Sequence, residues 1–171
     1  MTTLITSQLV QAIRSEFRLD WRGIHGAGHW ARVRANGLTI AAANGANKGV
    51  IEYFAFLHDA CRRTDGRDHG HGLRAASFAR SIRQDFIRLA DDEFDLLMAA
   101  IEGHTHSLDH DDLTVLSCWD ADRLDLPRIG IMPDPERLCT DVGRQLSALR
   151  DGNHHIMQVT QTSYIRYRKG V

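Results

Sequence analysis

The stretch FLHDACRR, residues 56–63, places a histidine and an aspartate side by side at the end of an apolar segment. The apolar residues before them follow helical spacing, so His58 and Asp59 are predicted at the C-terminal end of a buried helix. Polar side chains in such a position need partners, because an unpaired polar group costs free energy when it leaves water. An imidazole and a carboxylate together suit a divalent transition-metal ion. The pair therefore predicts a metal site whose remaining ligands come from other helices.

Two further residues are candidates for that site. His29 lies near the start of the preceding predicted helix, and Asp122 lies in the segment WDADRLDL, residues 119–126. Two histidines and two aspartates would leave coordination positions open for water or a substrate oxygen, as in catalytic metal sites. A single histidine more often has a structural role, so the prediction depends on the whole set.

The composition indicates a globular protein of one domain. The chain has 171 residues, of which 43% are apolar and 25% charged, and its net charge at pH 7 is -1. This balance gives no overall field to draw the protein onto nucleic acid or an acidic membrane, so neither partner is expected. The three cysteines are far apart and lack the CxxC spacing of zinc or redox pairs. They are expected to be reduced thiols in a cytoplasmic protein, and the N-terminal sequence is expected to be neither a signal peptide nor a membrane anchor.

Helical periodicity dominates the chain, and the alternation typical of strands is essentially absent. A polar, glycine-rich loop is predicted at residues 64–72, and Asp134 with Pro135 predicts the start of a last helix that runs to Gly152. The predicted helices cover residues 4–19, 28–42, 49–61, 73–86, 91–101, 113–126 and 135–152. We therefore predict one all-α domain over residues 1–171, with a core at about 20–130 and a C-terminal helical extension at about 131–171.

The order His29, His58-Asp59, Asp122 resembles the H…HD…D signature of the HD-domain superfamily of metal-dependent phosphohydrolases. The surroundings also match: HWARV follows a glycine at the first histidine, FLHDACRR carries the doublet, and DADRLD carries the final aspartate. The resemblance covers roughly residues 20–130. It implies an HD-domain helical bundle in which these four side chains bind a divalent metal ion.

The resemblance also implies roles for the aspartates of DADRLD. Similar sequences use the aspartate before Arg123 as the metal ligand, so Asp120 and Asp125 are expected to support the site or the helix. By its position, Arg123 is expected to form a salt bridge with Asp120 or Asp125, and contact with the phosphoryl group of a substrate is the alternative role.

A second metal ion is the next question, because the chain has 10 histidines and eight of them lie within residues 25–110. Some HD proteins bind two ions, with two more histidine ligands and the doublet aspartate as a bridge. His71 and His104 lie in the right order for that role, and His69 and His106 are rivals for it. In one-metal members such histidines contact the scissile phosphate or move a proton, so one or two ions per chain stay open.

The resemblance implies hydrolysis of a phosphate ester or anhydride in a small, nucleotide-like molecule by a metal-activated water. A bound ion lowers the pKa of its water from 15.7 to roughly 7, and Mn, Fe, Co, Ni, Zn or Mg would serve. Asp59 and His104 are the predicted catalytic residues, and His104 or His106 would protonate the leaving oxygen.

Several cations follow the doublet in the sequence and are candidates for substrate binding. A transferred phosphoryl group needs cationic or hydrogen-bond donors nearby. Arg62 and Arg63 come directly after the doublet, and His71 and Arg74 come after the histidine-rich loop. These four residues are the predicted contacts of a small phosphorylated substrate.

Two other functions stay open. A branch of the HD superfamily uses a mixed-valence di-iron centre to cleave C–C or C–P bonds with dioxygen, and His71 and His104 as extra ligands would favour that chemistry. The other function is a non-catalytic metal-binding or ligand-sensing domain. Against it, all the residues of the signature are present. The oligomeric state is not predicted.

Overall fold

The computed structural model describes residues 4–149, and every regular element in that part of the chain is helical. The α-helices are α1 (Ser7–Glu16), α2 (Ala27–Asn44), α3 (Lys48–Leu57), α4 (His71–Phe86), α5 (Asp91–Gly103), α6 (Leu113–Arg123) and α7 (141–149). Two short 3-10 helices, Leu126–Ile129 and Pro135–Arg137, lie between α6 and α7. None of the described helices is both long and apolar enough to cross a bilayer. The predicted all-α fold is confirmed for these residues.

Helix α3 lies at the centre of the bundle, with α2, α5 and α6 packed around it. Its side chains Ile51, Phe54 and Leu57 are fully buried. Gly37 allows α2 to approach closely, because a Cβ at that position would lie 2.5 Å from Cγ2 of Ile51. The C-terminal end of α3, and the doublet that follows it, are thereby held inside the protein.

Local sequence sets the starts of the two helices that lead into the site. The side chain of Asn47 accepts hydrogen bonds from the N–H groups of Gly49 and Val50 at 2.9 and 3.2 Å, and α3 begins at the next residue. The side chain of Asp112 accepts from the N–H of Thr114 at 2.7 Å, and α6 begins there in the same way. Both helix starts follow the ordinary rule for N-capping residues.

Helix α4 begins at His71, within the segment predicted as a loop. Gly72 packs against the last turn of α5, where a Cβ would lie only 2.8 Å from the carbonyl oxygen of Ile101. The nearest ring atom of His104 would lie 3.5 Å from the same Cβ. The absence of a side chain at Gly72 therefore lets the first turn of α4 come close to the end of α5.

The prediction of one helix from Pro135 to Gly152 is wrong within the described residues. The chain forms a 3-10 turn at Pro135–Arg137, breaks, and becomes helical again at residue 141. The break follows from a buried carboxylate: Asp120 accepts from the N–H groups of Cys139 and Thr140 at 2.7 and 2.8 Å. Those two N–H groups are therefore not available to a continuous helix. The part of the predicted extension beyond residue 149 lies outside the described residues.

Arg123 also stabilises this break in the helix, through the 3-10 turn that precedes it. Its guanidinium donates to the carbonyl of Arg137 at 2.9 Å and to the carbonyl of Ser107. Within residues 4–149 it forms no ion pair with Asp120 or Asp125, so that expectation is wrong. Instead of a carboxylate, these two carbonyls and Sγ of Cys139, which lies 3.1 Å from Nη1, accept hydrogen bonds from the guanidinium.

Candidate metal centre

His58 and Asp59 lie directly after α3. The N–H of His58 donates to the carbonyl of Phe54 at 3.0 Å, which continues the hydrogen bonding of the helix by one residue. The side chain of His58 is 0% exposed and that of Asp59 is 3% exposed. Buried groups of this kind require partners, and residues from several other helices supply them.

Both side chains of the doublet converge on one point with those of His29 and Asp122. Nε2 of His29 lies 3.1 Å from Nε2 of His58 and 3.3 Å from Oδ1 of Asp122. Oδ2 of Asp59 lies 3.7 Å from each Nε2 atom, and Oδ1 of Asp122 lies 3.7 Å from Nε2 of His58. Ligand atoms bonded to one ion at about 2.0–2.2 Å stand about 3.0–3.4 Å apart, so the group has nearly the dimensions of a metal site.

Both histidines of this group present a lone pair to that point. Nδ1 of His29 lies 2.7 Å from a carboxylate oxygen of Asp125, and Nδ1 of His58 lies 3.1 Å from the carbonyl oxygen of Phe54. Because these oxygens accept hydrogen bonds, each Nδ1 carries the proton and each Nε2 is left as an acceptor. Two lone pairs that face each other at 3.1 Å require a cation or a proton between them. The donor set therefore fits a divalent metal ion.

The surroundings keep three of these ligands in the protonation state that a metal binds. Burial lowers the pKa of His58 to about 3, so its ring is neutral at ordinary pH. Burial alone would raise the pKa of Asp122, but the close contact with His29 and the neighbouring rings of His58 and His104 hold this pKa well below its usual value. Burial would likewise raise the pKa of Asp59, and the neighbouring rings of His58, His104 and His71 lower it instead. Both carboxylates are therefore ionised at neutral pH.

A second group lies on the other side of Asp59. Nε2 of His71 lies 2.7 Å from Nε2 of His104 and 3.2 Å from Oδ1 of Asp59. The Nδ1 atoms of the two rings donate to the carbonyl oxygens of Asp68 and Ile101, at 2.5 and 2.7 Å. Both Nε2 atoms are again left as acceptors. Asp59 directs Oδ2 to the first group and Oδ1 to the second, as a carboxylate that bridges two sites would.

One of the three arginines predicted to bind substrate contacts the second group. Nη1 of Arg62 lies 3.4 Å from Oδ1 of Asp59 and 3.3 Å from Nε2 of His71. Arg74 donates instead to both carboxylate oxygens of Asp68 at 2.7 and 2.6 Å, and the side chain of Arg63 is exposed. Neither Arg63 nor Arg74 lines the cavity above the two groups.

A cavity of about 390 Å³ opens onto both groups. Its lining includes Asp59 and Asp122 from the first group and His71 and His104 from the second. Asp122 is 20% exposed, whereas the side chain of His29 is fully buried. The first group is therefore enclosed on the protein side and accessible on the side of Asp122, where a substrate could reach it.

The two rival histidines lie at the surface. His69 and His106 are exposed and stack on each other with their ring centroids 5.9 Å apart. Their positions in the sequence are close to those of His71 and His104, and only the packing of α4 against α5 separates the two pairs. The structure brings His71 and His104, and not their neighbours, to Asp59.

Sequence reasoning missed several residues of the cavity. The side chain of His25 is buried, lines the cavity, and places Nδ1 2.8 Å from Oδ1 of Asp65. Burial lowers its pKa despite this hydrogen bond. Its position four residues before His29 in the glycine-rich segment GIHGAGH was a signal that could have drawn attention to it. Thr105 and Arg128 also line the cavity, and only the fold reveals them.

Comparison with known proteins finds a structural similarity. No protein-family model and no curated protein matches the chain. The solved structure of a predicted HD superfamily hydrolase from an uncultured Thermotogales bacterium superposes with a TM-score of 0.69. The alignment covers 94% of this chain and 91% of the other, at 22% sequence identity. The resemblance inferred from the H…HD…D residues is thus confirmed at the level of the fold: this chain folds as an HD-domain helical bundle.

Proposed function

We propose that this protein is a metal-dependent phosphohydrolase that cleaves a phosphate ester or anhydride of a small, nucleotide-like molecule. The group formed by His29, His58, Asp59 and Asp122 carries the proposal, because two unprotonated ring nitrogens and two ionised carboxylates meet at the edge of a cavity. Such a set leaves coordination positions open, as catalytic metal sites do. The likeness in fold to a predicted HD superfamily hydrolase supports the same reaction class.

A divalent ion in this group would supply a water activated for attack at neutral pH and would polarise a phosphoryl oxygen. The chain itself supplies cations for the phosphoryl group. Arg62 and Arg128 line the cavity with side chains that are only 12% and 10% exposed. Charges in partly buried positions are screened less by water than exposed ones, so they stabilise developing negative charge more strongly. Nε2 of His104, beside Asp59, is the atom that would hold a proton for the leaving oxygen.

The rest of the cavity suits a substrate with an apolar portion. Residues 126–133 contribute an apolar wall made of Leu126, Ile129, Ile131, Met132 and Pro133. Ile129, Ile131 and Met132 are 40%, 51% and 39% exposed, and a cluster of exposed large apolar side chains is typical of binding sites. The volume falls within the range of sites for small organic ligands. A phosphorylated molecule with a planar apolar group, such as a nucleobase, would use both the metal group and this wall.

The second candidate function is a mixed-valence di-iron oxygenase. The shared position of Asp59, with one oxygen toward each histidine pair, favours it. The contact of Arg62 with the second pair weighs against it, since a fixed cation beside that position opposes a second iron.

The experiment is a hydrolysis assay on purified protein supplied with Mn²⁺, Co²⁺, Ni²⁺, Zn²⁺ or Mg²⁺. Substrates are nucleoside phosphates, aryl phosphates and glycerol phosphate, so that the effect of an apolar group on KM is measured directly. Hydrolysis that requires the metal and favours the nucleoside and aryl phosphates is expected. Asp59→Ala should reduce kcat/KM by about a hundredfold or more, because it removes a carboxylate that serves both groups.

Asp109→Ala is the matched control, because Asp109 is an exposed aspartate outside the cavity. Circular dichroism of each variant separates loss of the site from loss of the fold. An Asp59→Ala protein that hydrolyses these substrates as well as the parent would refute the proposal. Dioxygen consumption with a mixed-valence iron signal, and no hydrolysis of any phosphate, would establish the second candidate instead.

A further inference from the structure

The second group contains a cation of the chain itself. Nη1 of Arg62 reaches both Oδ1 of Asp59 and Nε2 of His71, at 3.4 and 3.3 Å. These are two of the lone-pair donors that an ion between His71 and His104 would need. A guanidinium is charged at all ordinary pH values, so it can neutralise the carboxylate without a metal.

We propose that Arg62 replaces a second metal ion. On this proposal the chain binds one divalent ion, in the group of His29, His58, Asp59 and Asp122, and the Arg62 guanidinium is the permanent cation on the other side of Asp59. The inference rests on the proposed metal-dependent function for the first group, and it adds the number of ions and the residue that determines it.

Main-chain carbonyls hold Arg62 in this position. Nη2 donates to the carbonyl of Gly66 at 2.9 Å, and Nε donates to the carbonyl of Thr64 at 3.4 Å. Both carbonyls belong to the turn that directly follows the doublet, so the same segment positions the arginine and its target. The side chain is only 12% exposed. An arginine anchored at two of its nitrogens loses less freedom for each further hydrogen bond than an unanchored one.

The spacing of the second group agrees with this assignment. The Nε2 atoms of His71 and His104 are 2.7 Å apart, whereas those of His29 and His58 are 3.1 Å apart. Two nitrogens bound to one ion at about 2.0–2.1 Å stand about 3 Å apart at right angles and farther apart in a tetrahedron. The first pair meets this requirement as it stands, and the second would have to separate by a few tenths of an ångström to meet it. The shorter distance is that of two rings in direct contact with each other.

The two groups also differ in charge. The first has the carboxylate of Asp122 and shares that of Asp59, while the second shares Asp59 and adds the positive charge of Arg62. A divalent ion is attracted to the first set and repelled from the second by a guanidinium in contact with its ligands. Removal of Arg62 would therefore expose two histidines and a carboxylate, which is a sufficient set of ligands for an ion.

The test counts ions in the full-length protein, which needs no substrate. Chelator-treated protein is dialysed to equilibrium against Mn²⁺, bound metal is measured by elemental analysis, and electron paramagnetic resonance reports whether two Mn²⁺ ions are coupled. We expect one ion per chain in the parent, and two coupled ions in Arg62→Ala and in Arg62→Met, which keeps the packing of the aliphatic stem. Arg63→Ala is the control for loss of an adjacent arginine and should stay at one ion. The double variant Arg62→Met with His71→Ala should return to one ion.

The outcomes separate this inference from the function on which it rests. Two ions in the parent, or one ion in a folded Arg62→Met protein, would overturn the role given to Arg62 and leave the first group intact. A parent that binds no Mn²⁺ or other divalent ion would overturn both the metal-dependent function and the inference.

Discussion

The two sides of Asp59 are built from the same parts and differ in one partner. Each side has a pair of histidines with the proton on Nδ1, and each takes one oxygen of Asp59. On one side the remaining partner is the carboxylate of Asp122, and on the other it is the guanidinium of Arg62. Histidines alone therefore do not determine how many ions a site holds, because the charge of the third partner decides whether a cation is attracted.

The two sides also differ in how their histidines are supported. His58, His71 and His104 each donate to a main-chain carbonyl, whereas His29 donates to the carboxylate of Asp125. Asp125 is in turn held by Arg32, with Nε at 2.7 Å from its Oδ1. His29 is thus the ring whose orientation a single substitution can disturb without removing a ligand.

The largest difference in metal content is expected between two single variants, each of which lacks one histidine from one side of Asp59. His58→Ala removes a nitrogen that faces the first group, and the variant should lose bound metal and the proposed phosphohydrolase activity together. His71→Ala should keep one ion per chain and lose only part of its activity, because His71 lies in the group occupied by Arg62. Metal content of the two folded variants after dialysis is the measurement, and equal loss of metal in both would contradict the comparison.

A smaller effect is expected from Asp125→Asn. The amide can turn its NH₂ group toward Nδ1 of His29, which would favour the other tautomer and take the lone pair from Nε2. Partners that support a metal ligand typically contribute about 10- to 100-fold in affinity, so the Kd for Mn²⁺ should rise by that factor. Titration calorimetry measures it, with Asp109→Asn as the exposed control. An unchanged Kd would show that Asp125 does not set the tautomer.

The smallest effect is a dependence of metal affinity on pH. Burial alone would lower the pKa of His29, but hydrogen bonds to Asp122 and Asp125 outweigh it, so this pKa is raised above the ordinary 6.5. A metal binds the unprotonated ring, and His58, with its pKa at about 3, does not compete with it for protons. Affinity should therefore be constant above the pKa of His29 and fall about tenfold for each pH unit below it.

Calorimetric Mn²⁺ titrations from about pH 5 to about pH 8 would reveal this dependence. Repeating them in buffers of different ionisation enthalpy would count the proton released on binding. Asp125→Asn removes one of the two groups that raise the pKa of His29, so its midpoint should lie at lower pH. A Kd that stays constant across the whole range would contradict the role assigned to His29.

Much of the fold could be predicted from the sequence, because its signals are local. Helical spacing of apolar residues and N-capping residues such as Asp112 and Asn47 lie within a few positions of the elements they define. The break before α7 could not be predicted in this way. Its cause, the carboxylate of Asp120, lies nearly 20 residues upstream and takes the N–H groups of Cys139 and Thr140. A favourable local start at Asp134 and Pro135 was present, but it produced only a 3-10 turn.

The sequence by itself determined the types and order of the residues that form the site: a histidine, a histidine-aspartate doublet and an aspartate, each in a recognisable setting. Tertiary structure alone decided which of two adjacent histidines enters it, since the packing of α4 on α5 brings His71 and His104 inward and leaves His69 and His106 at the surface. It also decided where Arg62 and the apolar wall of residues 126–133 lie. The physical reason is that a ligand type is a property of one residue, whereas convergence, burial and local charge are properties of residues distant in the chain.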